Sequence, residues 1–240
     1  MATFVLVTGA WHGSWCWKRV REALTKQGHT VFTPTFTGIG ERSHLLSRDI
    51  DLETHIADIM NLIRWENLRG IVLVGHSYGG LVVRSVADRM DGRIAALVYL
   101  DAFVPENGQG LHDCVDEGQR LALLNAMADP GEGWRIPPIP AAVFNVNEAD
   151  RDWVDAQCTV QPAACFVQPL RLERDGLSSG TTHYIYASGW EGSPFTRFYD
   201  EAKSRGWSRR KIACGHDVML DRPDELTAAL LEIAEAQASR

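Results

Sequence analysis

The chain has 240 residues, of which 45% are hydrophobic and 23% are charged, and this balance suits one sizeable α/β domain with a large core. Its net charge of −7 is not offset by any basic run, which argues against nucleic acid or an anionic membrane surface as a partner. No apolar run is long enough for a membrane span and no signal-peptide pattern opens the chain, so we expect a cytoplasmic location. Five widely spaced cysteines without a C-x-x-C pair favour free thiols over disulfides or a metal site.

Strand and helix patterns alternate along the chain. Apolar runs predict strands at residues 4–7, 30–34, 71–74, 94–101, 181–187 and 208–214. Helical spacing and capping residues predict helices at residues 16–27, 51–63, 81–87, 116–127, 147–157 and 195–206 and from 221 onward, and residues 37–43 are predicted to form a loop. The short returns between strands indicate parallel, right-handed units, and the predicted fold class is an α/β doubly wound, mostly parallel sheet.

The most informative stretch runs from Ile71 to Gly80. Four branched apolar residues lead directly into Gly75-His76-Ser77-Tyr78-Gly79, and helical spacing follows. A strand, a tight turn and a helix are the context in which Gly-x-Ser-x-Gly forms a nucleophile elbow, with the serine in strained backbone geometry. The pattern therefore predicts Ser77 as a nucleophile exposed at the C-terminal edge of the sheet.

A serine hydroxyl needs a base to accept its proton during attack. His216 lies between the last predicted strand and the last helix, at the same sheet edge as Ser77, and is the best-placed of the eight histidines. Charge that develops on an acyl oxygen needs backbone N–H donors, for which we expect Tyr78, directly after the nucleophile, and Ala10, in the glycine-rich loop after the first strand. His76 is interpreted as a packing residue, and His12 as a residue that shapes the pocket.

The carboxylate that should orient His216 has three candidates. The usual acid follows the strand before the last one, but after residues 181–187 the only local carboxylate is Glu191. Asp101 closes the buried strand that follows the elbow helix, where a carboxylate requires a partner. Asp217 adjoins His216, but its side chain is expected to point away from the free ring nitrogen. Asp101 is therefore favoured over Glu191, with Asp217 third.

The segment from 106 to 179 differs in character from the rest of the chain. It has many prolines, short helical patterns and no comparable apolar strand. We predict that residues 1–105 and 180–240 form the core and that residues 106–179 form an inserted, mainly helical cap. Several residues could line a pocket beneath such a cap or simply belong to the core: Trp11, His12, Trp15, Phe103, Val104, Trp134, Phe144 and Trp153.

Taken together, these motifs resemble the α/β-hydrolase superfamily over nearly the whole chain. More closely they resemble the branch that holds plant hydroxynitrile lyases, salicylate-binding methyl esterases and bacterial pyrethroid-hydrolase-like esterases. The resemblance rests on five main stretches: residues 4–17, residues 37–42, Val74 to Gly80, Leu100 to Pro105, and Gly215-His216-Asp217. It implies a catalytic triad, an oxyanion hole, a helical cap over a mostly apolar pocket, and neither metal nor cofactor.

Two departures from the family pattern affect the prediction. The aspartate that the family places near position 190 is missing, whereas some relatives place the acid after the strand that Asp101 ends. The lyases carry a lysine directly after the catalytic histidine to handle cyanide, and here that position is Asp217. An anionic neighbour would oppose a developing cyanide, so ester hydrolysis is preferred over cyanohydrin cleavage.

The leading hypothesis is therefore a serine esterase that cleaves a small to medium carboxylic ester through an acyl-enzyme on Ser77, with His216 as the base. The alternatives are a lyase, an amide hydrolase or a C–C bond hydrolase on the same triad, and a non-catalytic homologue that binds small molecules. The expected partner is a small-molecule ester, and a homodimer is one option for the assembly.

Overall fold

The computed structural model describes residues 1–174, 177 and 180–238. A sheet of six parallel strands forms the centre of the molecule, in the order β2-β1-β3-β4-β7-β8. The strands in the described residues are β1 Thr3–Val7, β2 Thr30–Phe32, β3 Ile71–His76, β4 Ile94–Leu100, β5 Arg135–Ile136, β6 Gln161–Pro162, β7 Thr181–Ala187 and β8 Ser208–Ile212. β5 and β6 form a separate antiparallel pair.

Helices cover both faces of the sheet. Those in the described residues are α1 Lys18–Lys26, α2 Leu52–Trp65, α3 Gly79–Arg89, α4 Glu117–Ala128, α5 Arg151–Gln157, α6 Ala164–Val167, α7 Thr196–Ser204, α8 Val218–Asp221 and α9 Pro223–Ala238. The chain moves outward from β1 to β2 and then returns past β1 to β3, so right-handed crossovers place α1 and α2 on opposite faces. α1 packs against α9, and α2 packs against α3.

β3 lies inside the sheet and is buried along its whole length. Its position explains its sequence, because a strand with parallel neighbours and helices on both faces has no solvent-facing side. The parallel neighbours β1, β3, β4 and β7 all end at the same edge, and the loops that follow them therefore meet there. The residues predicted to be functional lie in or next to these loops.

The segment between β4 and β7 contains α4, α5, α6 and the β5–β6 pair, and a 3-10 turn at Leu111–Asp113 precedes them. The predicted boundaries of a cap at 106 and 179 remain a prediction, and residues 175, 176, 178 and 179 lie outside the described part of the chain, as do 239 and 240. No helix among the described residues is both long and apolar enough to cross a membrane.

Several predicted element boundaries were wrong by a few residues. The predicted strand at 30–34 ends at Phe32, before Pro34, which has no N–H to donate to a ladder. The predicted helix at 16–27 begins as a 3-10 turn, Ser14–Trp17, and the predicted loop at 37–43 contains another, Gly40–Leu45. The predicted helix at 147–157 begins only at Arg151, because Asn147 bonds through its backbone and its side chain to Asp221.

Candidate active site

Ser77 occupies the tight turn between β3 and α3. Its φ of +53° is left-handed, a strained conformation for a residue with a side chain. The neighbouring glycines make the turn possible: a Cβ on Gly75 would lie 2.4 Å from Val83 Cγ2, and one on Gly79 would lie 2.5 Å from the Thr8 carbonyl oxygen. β3 therefore approaches α3 closely at Gly75, and the start of α3 approaches the loop after β1 at Gly79. The turn at Ser77 has the strand–turn–helix geometry that the sequence predicts.

His216 is paired with Asp101. Its Nδ1 lies 2.7 Å from Asp101 Oδ2, and the other oxygen of Asp101 accepts the N–H of Ala187 at 3.1 Å. Asp101 is fully buried and follows directly on β4, with a left-handed φ of +41° that turns its side chain out of the strand register. Of the three candidate acids, Asp101 is the one in contact with the imidazole of His216.

The other two carboxylates lie elsewhere. Glu191 is exposed in the turn after β7. Asp217 is fully buried, but its carboxylate faces His12, with 3.3 Å between His12 Nε2 and Asp217 Oδ2, and lies 3.8 Å from His76 Nε2. His76 also donates through Nε2 to the carbonyl oxygen of His216 at 3.1 Å, and this hydrogen bond stabilises the backbone of the His216 loop.

Aromatic rings surround the imidazole of His216. Phe195 stacks on it with 4.9 Å between ring centroids and 5° between planes, and Phe144 and Trp190 pack at 5.2 Å each. Burial lowers the pKa of His216 to about 4, from 6.5 for a free imidazole. At neutral pH the ring is therefore uncharged, and with Nδ1 directed to Asp101, Nε2 is left as the basic nitrogen.

Two backbone N–H groups beside Ser77 have no protein acceptor. Among the described residues, neither the N–H of Ala10 nor that of Tyr78 donates a hydrogen bond, and both residues line the same cavity as Ser77. The N–H of Trp11, in contrast, donates to Gln161 Oε1 at 2.9 Å. Unpaired donors at a cavity wall are available to an oxygen that gains negative charge.

The cavity has a volume of about 390 Å³ and contains no charged side chain among its lining residues. Ser77 and His216 contribute to its floor. Its walls are apolar and come largely from the segment between β4 and β7, including Leu111, Val115, Leu123, Ile136, Val143 and Phe166. Gln119 supplies one of the few polar groups. The site therefore suits neutral, apolar small molecules.

The residues proposed from the sequence as pocket-lining divide into two groups. Trp11, Phe103 and Phe144 line the cavity. His12 does not: it lies beneath the floor, buried against Asp217 and stacked on Trp15 with 5.0 Å between ring centroids. Trp15, Val104, Trp134 and Trp153 are also outside the lining.

Sequence reasoning missed Gln161, Trp190 and Phe195. Trp190 lies beside Glu191, which the sequence indicates only as a candidate acid. Phe195 is predicted only as the first residue of a helix. Gln161 comes from β6, a two-residue strand with no sequence signal of its own. In the described part of the chain, no group of three or more His, Cys, Asp or Glu side chains is arranged to hold a metal ion.

A model of the alpha/beta hydrolase family matches residues 4–230. The chain belongs to the alpha/beta hydrolase family. It is 45% identical to a carbendazim hydrolyzing esterase of Nocardioides sp. (strain SG-4G) over 240 residues, which cover 96% of this chain and 98% of the relative. It is 26% identical to Esterase PIR7B of Oryza sativa subsp. japonica, with 96% and 95% of the two chains covered.

A solved structure of this family has the same fold. An extracellular alpha/beta-hydrolase from a Paenibacillus species, described as similar in structure and function to tobacco Salicylic Acid Binding Protein 2, superposes with a TM-score of 0.83. It is 22% identical, and the alignment covers 97% of this chain and 99% of that one. The predicted hydrolase fold and family branch are confirmed, and the esterase relatives confirm the predicted enzyme class, a carboxylic ester hydrolase.

Proposed function

We propose that this hydrolase is a serine esterase for neutral, apolar esters of small to medium size, with Ser77 as nucleophile, His216 as base and Asp101 as acid. The observation that carries the proposal is the 2.7 Å contact between His216 Nδ1 and Asp101 Oδ2, in a cavity that Ser77 shares. The proposed acid is thus Asp101, at the end of β4 beside the elbow strand β3, and not Glu191.

The reaction follows from these positions. Ser77 Oγ attacks the ester carbonyl carbon while His216 Nε2 accepts its proton, and Asp101 holds the ring by Nδ1–H and stabilises the imidazolium that forms. The N–H groups of Ala10 and Tyr78 donate to the carbonyl oxygen as it becomes negative. The tetrahedral intermediate expels the alcohol, which takes the proton from His216. Water, deprotonated by His216, then attacks the acyl-enzyme, releases the acid and restores Ser77.

The residues of the cavity wall indicate the class of substrate. A charged substrate would lose its hydration without gaining an ionic partner, because none of the described residues that line the cavity has a charged side chain. The apolar and aromatic walls instead favour aryl or branched alkyl esters. The relative named as a carbendazim hydrolyzing esterase makes carbendazim a compound to test beside them.

The segment 106–179 is proposed to act as a cap, since it supplies much of the wall opposite Ser77. The lyase alternative is not supported by the cavity, because the position after His216 is Asp217, whose carboxylate faces His12, and no lysine side chain lines the wall.

We expect Ser77→Ala to reduce hydrolysis of p-nitrophenyl esters by several orders of magnitude, because the acyl-enzyme can no longer form. Ser85→Ala is the matched control: Ser85 is a buried serine in α3, and its hydroxyl has no hydrogen-bond partner. A fluorophosphonate should label the wild type and Ser85→Ala, but not Ser77→Ala. Ester turnover by Ser77→Ala at the wild-type rate would refute the proposal.

A further inference from the structure

The loop after β1 holds a residue in an unfavourable conformation next to the reacting groups. Trp11 has a φ of +64°, in the left-handed region that residues with side chains rarely adopt. It directly follows Ala10, whose N–H is proposed to bind the oxyanion. A non-glycine residue is strained in this conformation, so surrounding contacts must maintain it.

Those contacts come from the β5–β6 region. The N–H of Trp11 donates to Gln161 Oε1 at 2.9 Å, and the indole Nε1–H donates to the carbonyl oxygen of Ile136 at 3.1 Å. The carbonyl oxygen of Trp11 accepts the N–H of Thr159 at 3.1 Å. Both backbone groups of Trp11 and its side chain are therefore bound to the segment that lies between β4 and β7.

Gln161 and His12 act on the same peptide group. The peptide that joins Ala10 to Trp11 presents its N–H to Gln161 Oε1 and its carbonyl oxygen to His12 Nδ1, at 2.6 Å. Because a peptide group is planar, contacts at both of its ends fix the orientation of the whole plane. Gln161 and His12 are both buried, so neither contact competes with water.

His12 is in turn held by the loop that carries the base. Its Nδ1 must donate to the Ala10 carbonyl oxygen, and its Nε2 faces the Asp217 carboxylate at 3.3 Å, so both nitrogens carry protons. Asp217 adjoins His216. The pair therefore connects the Ala10 loop to the His216 loop by an internal ion pair.

We propose that Gln161 and His12 are positioning residues that clamp the Ala10–Trp11 peptide. The clamped plane restrains the adjoining Gly9–Ala10 peptide through the shared Cα of Ala10, and so keeps the N–H of Ala10 directed at the oxyanion. Gln161 Oε1 also accepts the hydrogen bond of the Trp11 N–H, so the N–H of Ala10, and not that of Trp11, is left to bind the oxyanion. This inference rests on the proposed serine esterase function. The inference goes beyond the proposed function, because it gives Gln161 and His12, which do not line the cavity, an indirect role in stabilising the transition state.

Gln161→Leu tests the clamp, because leucine removes the acceptor while approximately conserving volume. We expect kcat for a p-nitrophenyl ester to fall by about 10- to 100-fold, less than for outright loss of an oxyanion donor, with KM changed by less than about threefold. Affinity for a trifluoromethyl ketone, which forms a tetrahedral adduct with the serine, should fall by a factor similar to the fall in kcat.

Two variants separate positioning from general structural damage. Gln161→Glu keeps an oxygen acceptor and loses an Nε2 that has no hydrogen-bond partner among the described residues. Because Gln161 is fully buried, the substitute matches the amide only while its carboxyl is protonated, so kcat should recover to within about threefold of wild type at acidic pH and fall again as that carboxyl ionises. Gln168→Leu is the control, because Gln168 Oε1 also accepts a backbone N–H, that of Glu53 at 3.0 Å, but this N–H is in the first turn of α2 and not in the Ala10 loop. Its kcat should equal that of the wild type.

Wild-type kcat in Gln161→Leu, or an equal fall in kcat for Gln168→Leu, would overturn the clamp. If Gln161→Leu does not fold, Gln161→Asn replaces it, since the shorter side chain withdraws the acceptor but stays polar, and the same outcomes apply. The proposed function is tested separately by labelling of wild-type Ser77 with a fluorophosphonate. Labelled wild type together with an unaffected Gln161→Leu would refute the clamp alone, whereas unlabelled wild type would refute the esterase mechanism.

Discussion

His216 and His12 each face a fully buried aspartate at the same edge of the sheet, yet only His216 keeps a free ring nitrogen. His216 uses Nδ1 for Asp101 and keeps Nε2 in a cavity with Ser77. His12 uses Nδ1 for the Ala10 carbonyl oxygen and Nε2 for Asp217, and it lines no part of the cavity. The same two residue types therefore leave a free ring nitrogen at the cavity in one place and form an internal ion pair in the other.

The two histidines also differ in charge, because the pKa of His216 is lowered and the pKa of His12 is raised. Burial lowers the pKa of His216 to about 4, which keeps it neutral. Burial also disfavours the charged form of His12, but the Asp217 carboxylate and the Cys158 side chain together outweigh this effect and raise the pKa of His12 well above its usual value. His12 and the neighbouring histidines hold the pKa of Asp217 below its usual range despite burial. At neutral pH, His216 is therefore an uncharged imidazole with one unprotonated nitrogen, whereas His12 is an imidazolium with both nitrogens protonated.

Asp101→Asn should have the largest effect on activity. An amide in place of the carboxylate favours the wrong tautomer of His216 and no longer stabilises the imidazolium, so kcat should fall by roughly 10³- to 10⁴-fold. Glu191→Gln, the control at the position where the family usually has its acid, should retain wild-type kcat, because Glu191 is exposed. Steady-state kinetics on one p-nitrophenyl ester measures both, and a reversed order of effects would move the acid to Glu191.

Asp217→Asn should act mainly on stability. It leaves His12 buried without a counter-charge, and breaking a buried pair in this way costs about 3 kcal/mol or more of unfolding free energy. Asp150→Asn is the control, because its pair with Arg19 is partly exposed and should contribute less than about 1 kcal/mol. Urea unfolding measures both losses.

The stability loss from Asp217→Asn should also depend on pH. Folded wild type keeps the His12 proton at a pH where the unfolded chain releases it, since the pKa of His12 is raised. The contribution of the pair is therefore complete below about pH 6.5 and declines as the pH rises through the pKa of folded His12. A loss that is the same at pH 6 and pH 9 would show that His12 is not held as an imidazolium.

The smallest expected effect is a displacement of the acid limb of the pH profile. Since His216 must be neutral to accept the Ser77 proton, kcat/KM should rise with pH through its pKa, with a midpoint below 6.5. The Asp217 carboxylate raises the pKa of His216, so Asp217→Asn should move the midpoint to lower pH. A midpoint above 7 in the wild type, or a shift to higher pH in the variant, would contradict this account.

The sequence predicted the strand, turn and helix around Ser77 and the loop that holds His216, because the signals of these features are local. Val74 to Gly80 combines an apolar strand with a turn that requires glycine, and His216 lies in a short loop between two recognisable elements. The element boundaries were less accurate where a tertiary contact competes with local preference, as at Asn147, which bonds to Asp221 instead of extending α5. The segment 106–179 differs from the rest of the sequence only in composition, and its role as a cap is a proposal.

By itself, the amino-acid sequence determined the order of strands and helices, the sharp turn at Ser77 and the family of the fold, since all of these depend on neighbours along the chain. The sequence favoured Asp101 and His216, but the tertiary structure was needed to show that these two side chains meet, and it alone showed that Gln161 binds the Trp11 N–H. Asp101 and His216 are 115 residues apart, and Trp11 and Gln161 are 150 apart. Such pairings are set by the order of the parallel strands and by the path of the chain above them, and local sequence patterns carry no information about either.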